Sequence, residues 1–538
     1  MKTATPALTG PAREAVIGVA AGALVALSLP PFGWWPLGCF GLALVAAALP
    51  GLGLARRVVL GAGWGLAQFA IGIAWTEQFS AYGFVILLIV CAAFTCLSAA
   101  IVPTGRDWTV AVGLPASVML VTWSRDRFPL HGFPLAGTEL GQAAGPLEWA
   151  VKLGGGLLLS GETTLVGVTL ALVAKAVYLR AKGDSKHRSK PRSPAGRPTG
   201  IRLPAVAVAI ACALPLAGWR SPSGAGRRLS PIRVAMVQGG GPLGTRAINT
   251  DPAVVFNRQL SESAVLKPPL NLVVWPEGML QADTPFQDTA QAGQVAALAR
   301  RLSATVVAGV VQNLSSTKYL NEAAAWSPAG SIVATYLKNH LVPFGEYIPD
   351  RPLLSKYFNV ADVPRDAIPG HSPAFMATPA APLGVLISYE VFFGARARSG
   401  VLAGGQLLVV PTDDASYRGT QVVGQELAAA RLRAVETGRW LVLVSPTGYS
   451  EVVRPDGVVE QRSSLSAATV LEATVARRTG RTVFVDLGDT PFVLGAGALW
   501  LAAAFCGIHG ARIRRSRRSE QPKTPSTGRN STWRGRRV

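Results

Sequence analysis

Long apolar runs crowd the first 220 or so residues and return once near the carboxyl end, while the stretch 225–489 between them is patterned quite differently. No other feature constrains the chain as much. A backbone in lipid must satisfy its own hydrogen bonds, so about 20 consecutive apolar residues dictate a helix across the hydrocarbon core. Such runs fall near 14–30, 35–50, 58–77, 82–102, 109–124, 157–179, 203–219 and 491–509, which predicts eight crossings. The first run is not a cleaved leader by its pattern, because Pro30-Pro31-Phe32-Gly33 leads straight into a second apolar run with no small-residue cleavage site. A charged content of 15% supports the membrane reading, since soluble proteins carry about a quarter.

A formal net charge of +22 raises the question of a nucleic-acid partner, and the location of the charge answers it. Segment 180–202 holds eight Lys/Arg against Asp184, and the tail from Arg512 holds ten against Glu520. Both flank apolar runs, which is where the positive-inside rule puts basic residues, so no nucleic-acid partner is expected. Lys2, Arg13, Arg56, Arg57 and Arg106 fall on the same side as these two segments. Arg125, Arg127 and Lys152 are the exceptions. With eight crossings both termini are then cytoplasmic and 225–489 faces away from the cytosol. The 180–202 loop and the tail are rich in Ser, Pro, Lys and Arg and are expected to be disordered, with contact to anionic lipid headgroups left open.

Within 225–489, β-rich runs at 233–238, 271–275, 304–310, 331–336, 384–388, 406–410 and 440–445 are separated by helical patterns such as 289–302 and 425–437. Strands alternating with helices predict an α/β layered sheet. The expected organisation is a polytopic α-helical membrane domain over 1–224 with about seven spans, an extracytoplasmic α/β domain over 225–489, a last transmembrane helix over 490–510 and a basic tail over 511–538. Cys39, Cys91, Cys96, Cys212 and Cys506 all lie in apolar runs, without the spacing of a zinc site or a disulfide framework. The five histidines are scattered, so neither a metal nor a cofactor is expected.

Chemistry is suggested by three strand ends. Trp275-Pro276-Glu277 closes one, Lys338 closes another ahead of Leu341-Val342-Pro343-Phe344-Gly345-Glu346, and Ser388-Tyr389-Glu390 closes a third. Ligands of open α/β sheets bind outside the carboxyl ends of strands. A carboxylate there can accept a proton, an ammonium can stabilise a developing oxyanion, and a small side chain on a tight turn can attack a carbonyl.

These blocks resemble the nitrilase superfamily and, within it, the apolipoprotein N-acyltransferases, whose hydrolase domain is an αββα sandwich set between membrane spans. Pro30-Pro31-Phe32-Gly33-Trp34-Trp35-Pro36, Gly63-Trp64-Gly65, Arg431-Leu432-Arg433-Ala434-Val435-Glu436 and Thr447-Gly448-Tyr449-Ser450 extend the resemblance over nearly the whole chain. It implies that Glu277 is the general base, Lys338 the oxyanion stabiliser and residue 388 the nucleophile, with Glu346 supporting the lysine and Tyr389 and Glu390 shaping the pocket. It further implies ping-pong transfer of an acyl chain from a phospholipid to the amino group of a diacylglyceryl-cysteine lipoprotein in the bacterial plasma membrane, with membrane lipids as surroundings. Two departures stand out: Ser388 replaces a nucleophilic cysteine, and Asp413-Asp414-Ala415-Ser416-Tyr417 replaces a segment reading Asn-Asp-Ala-Trp. An inactive relative that binds lipid or lipoprotein, and an amidase on the same scaffold, remain the alternatives.

Overall fold

The computed structural model describes residues 10–103, 107–186, 202–241, 250–356, 360–361, 363–417 and 419–519. Among them a helix stands at each of the eight apolar runs: α1 (Pro11–Ser28), α2 (Trp35–Ala48), α3 (Leu54–Gly72), α4 (Ala81–Ala100), α5 (Asp107–Arg125), α6 (Val151–Lys186), α7 (Arg202–Arg220) and a last helix, Thr490–Ser519. Five contain stretches long and apolar enough to cross a membrane, namely α1, α4, α6, α7 and Thr490–Gly507. The helix α2 is apolar but shorter, while α3 carries Arg56 and Arg57 and α5 carries Asp107 and Arg125. Two helices run further than expected, to Lys186 and Ser519, into segments read as disordered. The remainder of those two segments, 187–201 and 520–538, lies outside the described residues.

Small residues let α1 and α3 touch backbone to backbone. A Cβ on Gly22 would lie 2.1 Å from the carbonyl oxygen of Trp64, so only glycine permits this approach. Arg56 forks onto the buried Glu14 at 2.6 and 3.0 Å, pinning the same two helices. A basic residue read as topogenic thus also has a structural partner.

The segment after α7 forms β1 (Ile232–Gln238), β2 (Leu272–Val274), β3 (Leu280–Ala282), β4 (Thr305–Asn313), β5 (Lys318–Trp326), β6 (Ile332–Leu337) and β7 (Asp366–Ala367). It continues through β8 (Phe375–Ala377), β9 (Pro382–Val385), β10 (Leu407–Pro411), β11 (Leu441–Val444), β12 (Glu451–Val453), β13 (Val459–Arg462) and β14 (Thr469–Val475). One sheet has the order β14-β1-β2-β4-β5-β6, with β3 and β7 paired off this path; the other runs β13-β12-β11-β10-β9-β8.

Side chains alternate across a strand, and here the alternation separates two cores. Val234, Met236, Leu272, Val274 and Val307 pack with Leu383, Val385, Leu408 and Val442 of the other sheet. Their neighbours Ala235, Val237, Val273, Val306 and Ala308 instead meet Phe256, Val295, Leu298 and Ala299 from helices Pro252–Glu262 and Ala290–Leu302. Helices thus cover the outer face of the first sheet. Helix Gln421–Thr437 packs on the second sheet, completing the expected αββα layering.

The same helix Gln421–Thr437 seats the α/β domain on the helical domain. Gln425 donates to the Gly72 carbonyl at 2.8 Å and accepts from the Ala136 amide at 3.0 Å, while Arg431 forks onto Glu148 at 2.8 and 2.9 Å. Leu29, Phe69, Ile73 and Leu159 share one apolar core with the second sheet. The two domains therefore meet through a shared apolar core reinforced by these polar contacts.

Candidate active site

Strand direction brings the expected groups to one edge. β2 is parallel to β4, and β6 reaches the same direction by two antiparallel steps through β5, so Glu277 after β2 and Lys338 after β6 leave the sheet together. Lys338 Nζ donates to Glu277 Oε1 at 2.9 Å and to Glu346 Oε1 at 3.0 Å. Asn321, from the middle of β5, donates to the same two oxygens at 2.7 and 2.6 Å. The lysine side chain is 2% exposed, and the carboxylates 11% and 12%.

Two carboxylates around one ammonium set the electrostatics. Burial alone would lower Lys338, but Glu277 and Glu346 outweigh it and hold the ammonium above its ordinary value. Burial raises Glu346, and Glu277 adds to the rise against the pull of Lys338. The Val342 amide fixes the other oxygen of Glu346 at 2.7 Å. Lysine therefore stays charged and aimed. His340, close by in sequence, is pushed by burial down to about 4 and stacks on Phe393, so it is neutral at ordinary pH.

The Glu277 loop needs Gly309 beneath it. Any Cβ there would come within 2.5 Å of Glu277 Cα, while the Gly309 amide donates to the Pro276 carbonyl at 3.0 Å. Gly309→Ala is expected to shift Glu277 and reduce activity by about 100-fold, the loss expected when a group at a reacting centre is misplaced by about 1 Å. Unchanged turnover in a purified, folded variant would contradict this.

Ser388 follows β9 on a left-handed backbone, φ 48°, which a non-glycine residue adopts at a cost of about 1–2 kcal/mol. The turn is over-determined by Glu390, fully buried, which accepts from the amides of Ile387 at 2.9 Å, Asn339 at 2.9 Å and His340 at 3.2 Å. Tyr336 OH donates to both its oxygens at 2.8 and 2.9 Å. Glu390 thereby stitches the Ser388 turn to the residues directly after Lys338. Tyr389 OH donates to the Gly132 carbonyl at 3.0 Å, reaching from the turn into the membrane domain. No hydrogen bond among the described residues reaches Ser388 Oγ, and the residue is half-buried.

Further acidic groups lie near Glu277. The Glu277 amide donates to the Thr412 carbonyl at 3.4 Å, placing the end of β10 next to it. Asp414 and Glu426 are buried behind that point, and burial raises both carboxyls. Sequence reading missed Asn321 and Glu426; a polar residue inside an otherwise apolar strand was the one signal available for Asn321.

An αββα hydrolase domain with a buried amine between two carboxylates at its strand ends, docked on a bundle of apolar helices, defines a membrane-associated carbon-nitrogen hydrolase. Residues 233–483 match the carbon-nitrogen hydrolase family, and residues 21–169 match the apolipoprotein N-acyltransferase N-terminal domain. The apolipoprotein N-acyltransferase of Mycolicibacterium smegmatis is 27% identical over 93% of this chain and 86% of its own length. That of Methylococcus capsulatus is 26% identical over 96% and 99%. Among solved structures, Nit3 of Saccharomyces cerevisiae, a nitrilase-superfamily member, matches 46% of this chain and 91% of its own with 19% identity and a TM-score of 0.36. The chain belongs to the apolipoprotein N-acyltransferase family.

Proposed function

We propose that the protein transfers an acyl chain from a phospholipid to the N-terminal amino group of diacylglyceryl-cysteine in bacterial lipoproteins, through an acyl-enzyme on Ser388. The observation that carries this reading is the buried Lys338 ammonium held between Glu277 and Glu346, with the strained Ser388 turn tied to the same loop by Glu390.

Ser388 Oγ attacks the donor ester while Glu277 takes its proton, and Lys338 stabilises the oxyanion that forms. The lysophospholipid leaves with the proton returned. The acceptor amine then attacks the acyl-enzyme, loses a proton to Glu277 and regenerates the Ser388 hydroxyl. Glu346 and Asn321 hold Lys338 and Glu277 in register throughout, so neither has to reorganise as charge develops. Both substrates carry acyl chains, and a hydrolase domain seated on apolar helices meets them without extracting them from the bilayer.

The accompanying topology is multi-pass, with 1–224 and 490–510 in the membrane, both termini cytoplasmic and 225–489 on the opposite face, as the distribution of Lys and Arg favours. The test is mass spectrometry of lipoprotein N-termini from cells in which this chain is the only copy. A third acyl chain on the terminal cysteine is the expected result. Lipoproteins left with two chains, together with hydrolysis of small amides by the purified protein, would replace the proposal with an amidase.

A further inference from the structure

We propose that Asp413 is a second proton acceptor for Ser388, so that a carboxylate pair, Glu277 and Asp413, takes the hydroxyl proton that Glu277 would otherwise take alone. This rests on Ser388 being the acyl carrier.

The placement comes from strand register. β9 and β10 run parallel with Val385 opposite Val409, so Ser388 and the Thr412-Asp413 pair leave neighbouring strands at one edge. The Thr412 carbonyl already touches the Glu277 amide. Asp414 turns inward, 3% exposed, against Ser445 and Gly448, whereas Asp413 is half-buried. One Asp413 oxygen accepts from the Ala415 amide at 2.9 Å, and no hydrogen bond among the described residues reaches the other. The charged groups that bear on Asp413 are Glu277 and Asp414, which raise it, and Lys338, which lowers it; burial is the largest influence and pushes the carboxyl up to about 7.

The need comes from the occupancy of Glu277. Its Oε1 accepts from both the Lys338 ammonium and Asn321, so that oxygen is already engaged by two donors. A thiol ionises near pH 8.5 and tolerates a weak partner; a hydroxyl requires an adjacent base. Asp413, with its elevated affinity for protons, supplies that base strength.

Protons balance over the cycle. In acylation the Oγ–H bond breaks, its proton passes to the carboxylate pair, the Oγ–acyl bond forms and the departing lysophospholipid oxygen takes the proton. In transfer the amine nitrogen bonds to the acyl carbon, gives a proton to the pair and Ser388 Oγ receives it as the ester bond breaks. Both carboxylates end the cycle ionised.

A double-mutant cycle tests this. Asp413→Asn retains an oxygen for the Ala415 amide, so the local turn is kept. In the Ser388 protein it is expected to slow acyl-enzyme formation from phospholipid vesicles by about 100-fold, at the lower end of what a general base contributes. It should also abolish the rise in wild-type rate as pH passes about 7, the value to which the carboxyl is pushed. In a Ser388→Cys background the same change is expected to alter the rate by less than about threefold, because the thiol ionises largely unaided. That arm also demonstrates that the Asp413→Asn chain folds. Equal losses in both backgrounds, or no loss with serine, overturn the role of Asp413 while leaving the acyltransferase intact. A wild-type protein that forms no acyl-enzyme at all overturns the acyl-carrier reading and Asp413 with it.

Discussion

Lys338→Met abolishes acyl transfer and costs the folded state about 3–5 kcal/mol, the usual loss when one partner of a buried ion pair is removed. The lysine is fully enclosed, and its ammonium is the shared donor to Glu277 and Glu346. Without it, Asn321 would bring two carboxylates together with no neutralising charge. The variant relieves this by holding a proton between the two acids, which raises the folded-state affinity above that of the unfolded chain. A raised carboxyl favours the folded form below its folded pKa and loses that advantage as pH rises through it. Thermal unfolding in detergent is therefore expected to show a larger deficit against wild type at pH 8 than at pH 5. A deficit independent of pH would mean the acids are not coupled through this lysine.

Ser388→Ala removes the proposed acyl carrier and is expected to lower turnover by about 10⁴-fold or more, on the order seen when a nucleophile is deleted from a triad. Its stability should match wild type, because Oγ has no partner among the described residues and the left-handed backbone is kept. Ser388→Gly is equally inactive but more stable by about 1 kcal/mol, since glycine adopts φ 48° without penalty. Strain stored at this turn would then be visible as the difference between two inactive proteins. Ser388→Cys retains acyl transfer, because a thiolate is the stronger nucleophile on the same turn. Intact-protein mass after incubation with phospholipid reads the acyl adduct in each case. An adduct on the Ser388→Ala protein would place the carrier elsewhere.

Why these sites were partly legible is a matter of which residues carry local signals. Glu277 and Lys338 sit where strands give way to turns, so an abrupt change from Val and Leu to acid or amine marks them, whereas Glu346 follows Gly345 inside a turn and came only with the family resemblance. β5 gave no such mark. Its residues 321–326 are buried on both faces, so the two-residue period vanishes, and Ala323-Ala324-Ala325 favours helix by propensity alone. Asn321 went unseen with it. Glu390 was expected to shape the pocket; its oxygens are spent on Tyr336 and three backbone amides, so it fixes the turn that presents Ser388. β14 pairs antiparallel with β1 across more than 200 residues of chain, a contact no local pattern announces.

Sequence alone determined where lipid-compatible helices form, which segment alternates strands with helices and which three strand ends carry an acid, an amine and a hydroxyl. Each of these follows from short-range rules: length against bilayer thickness, side-chain periodicity and the chemistry of single residues. The tertiary structure alone decided that Lys338 is shared between Glu277 and Glu346, that Asn321 bridges them, that Glu390 locks the Ser388 turn and that Asp413 reaches the same edge. Those facts depend on strand order and on which backbone approaches which, and burial then multiplies the strength of charges brought together across dozens to hundreds of residues.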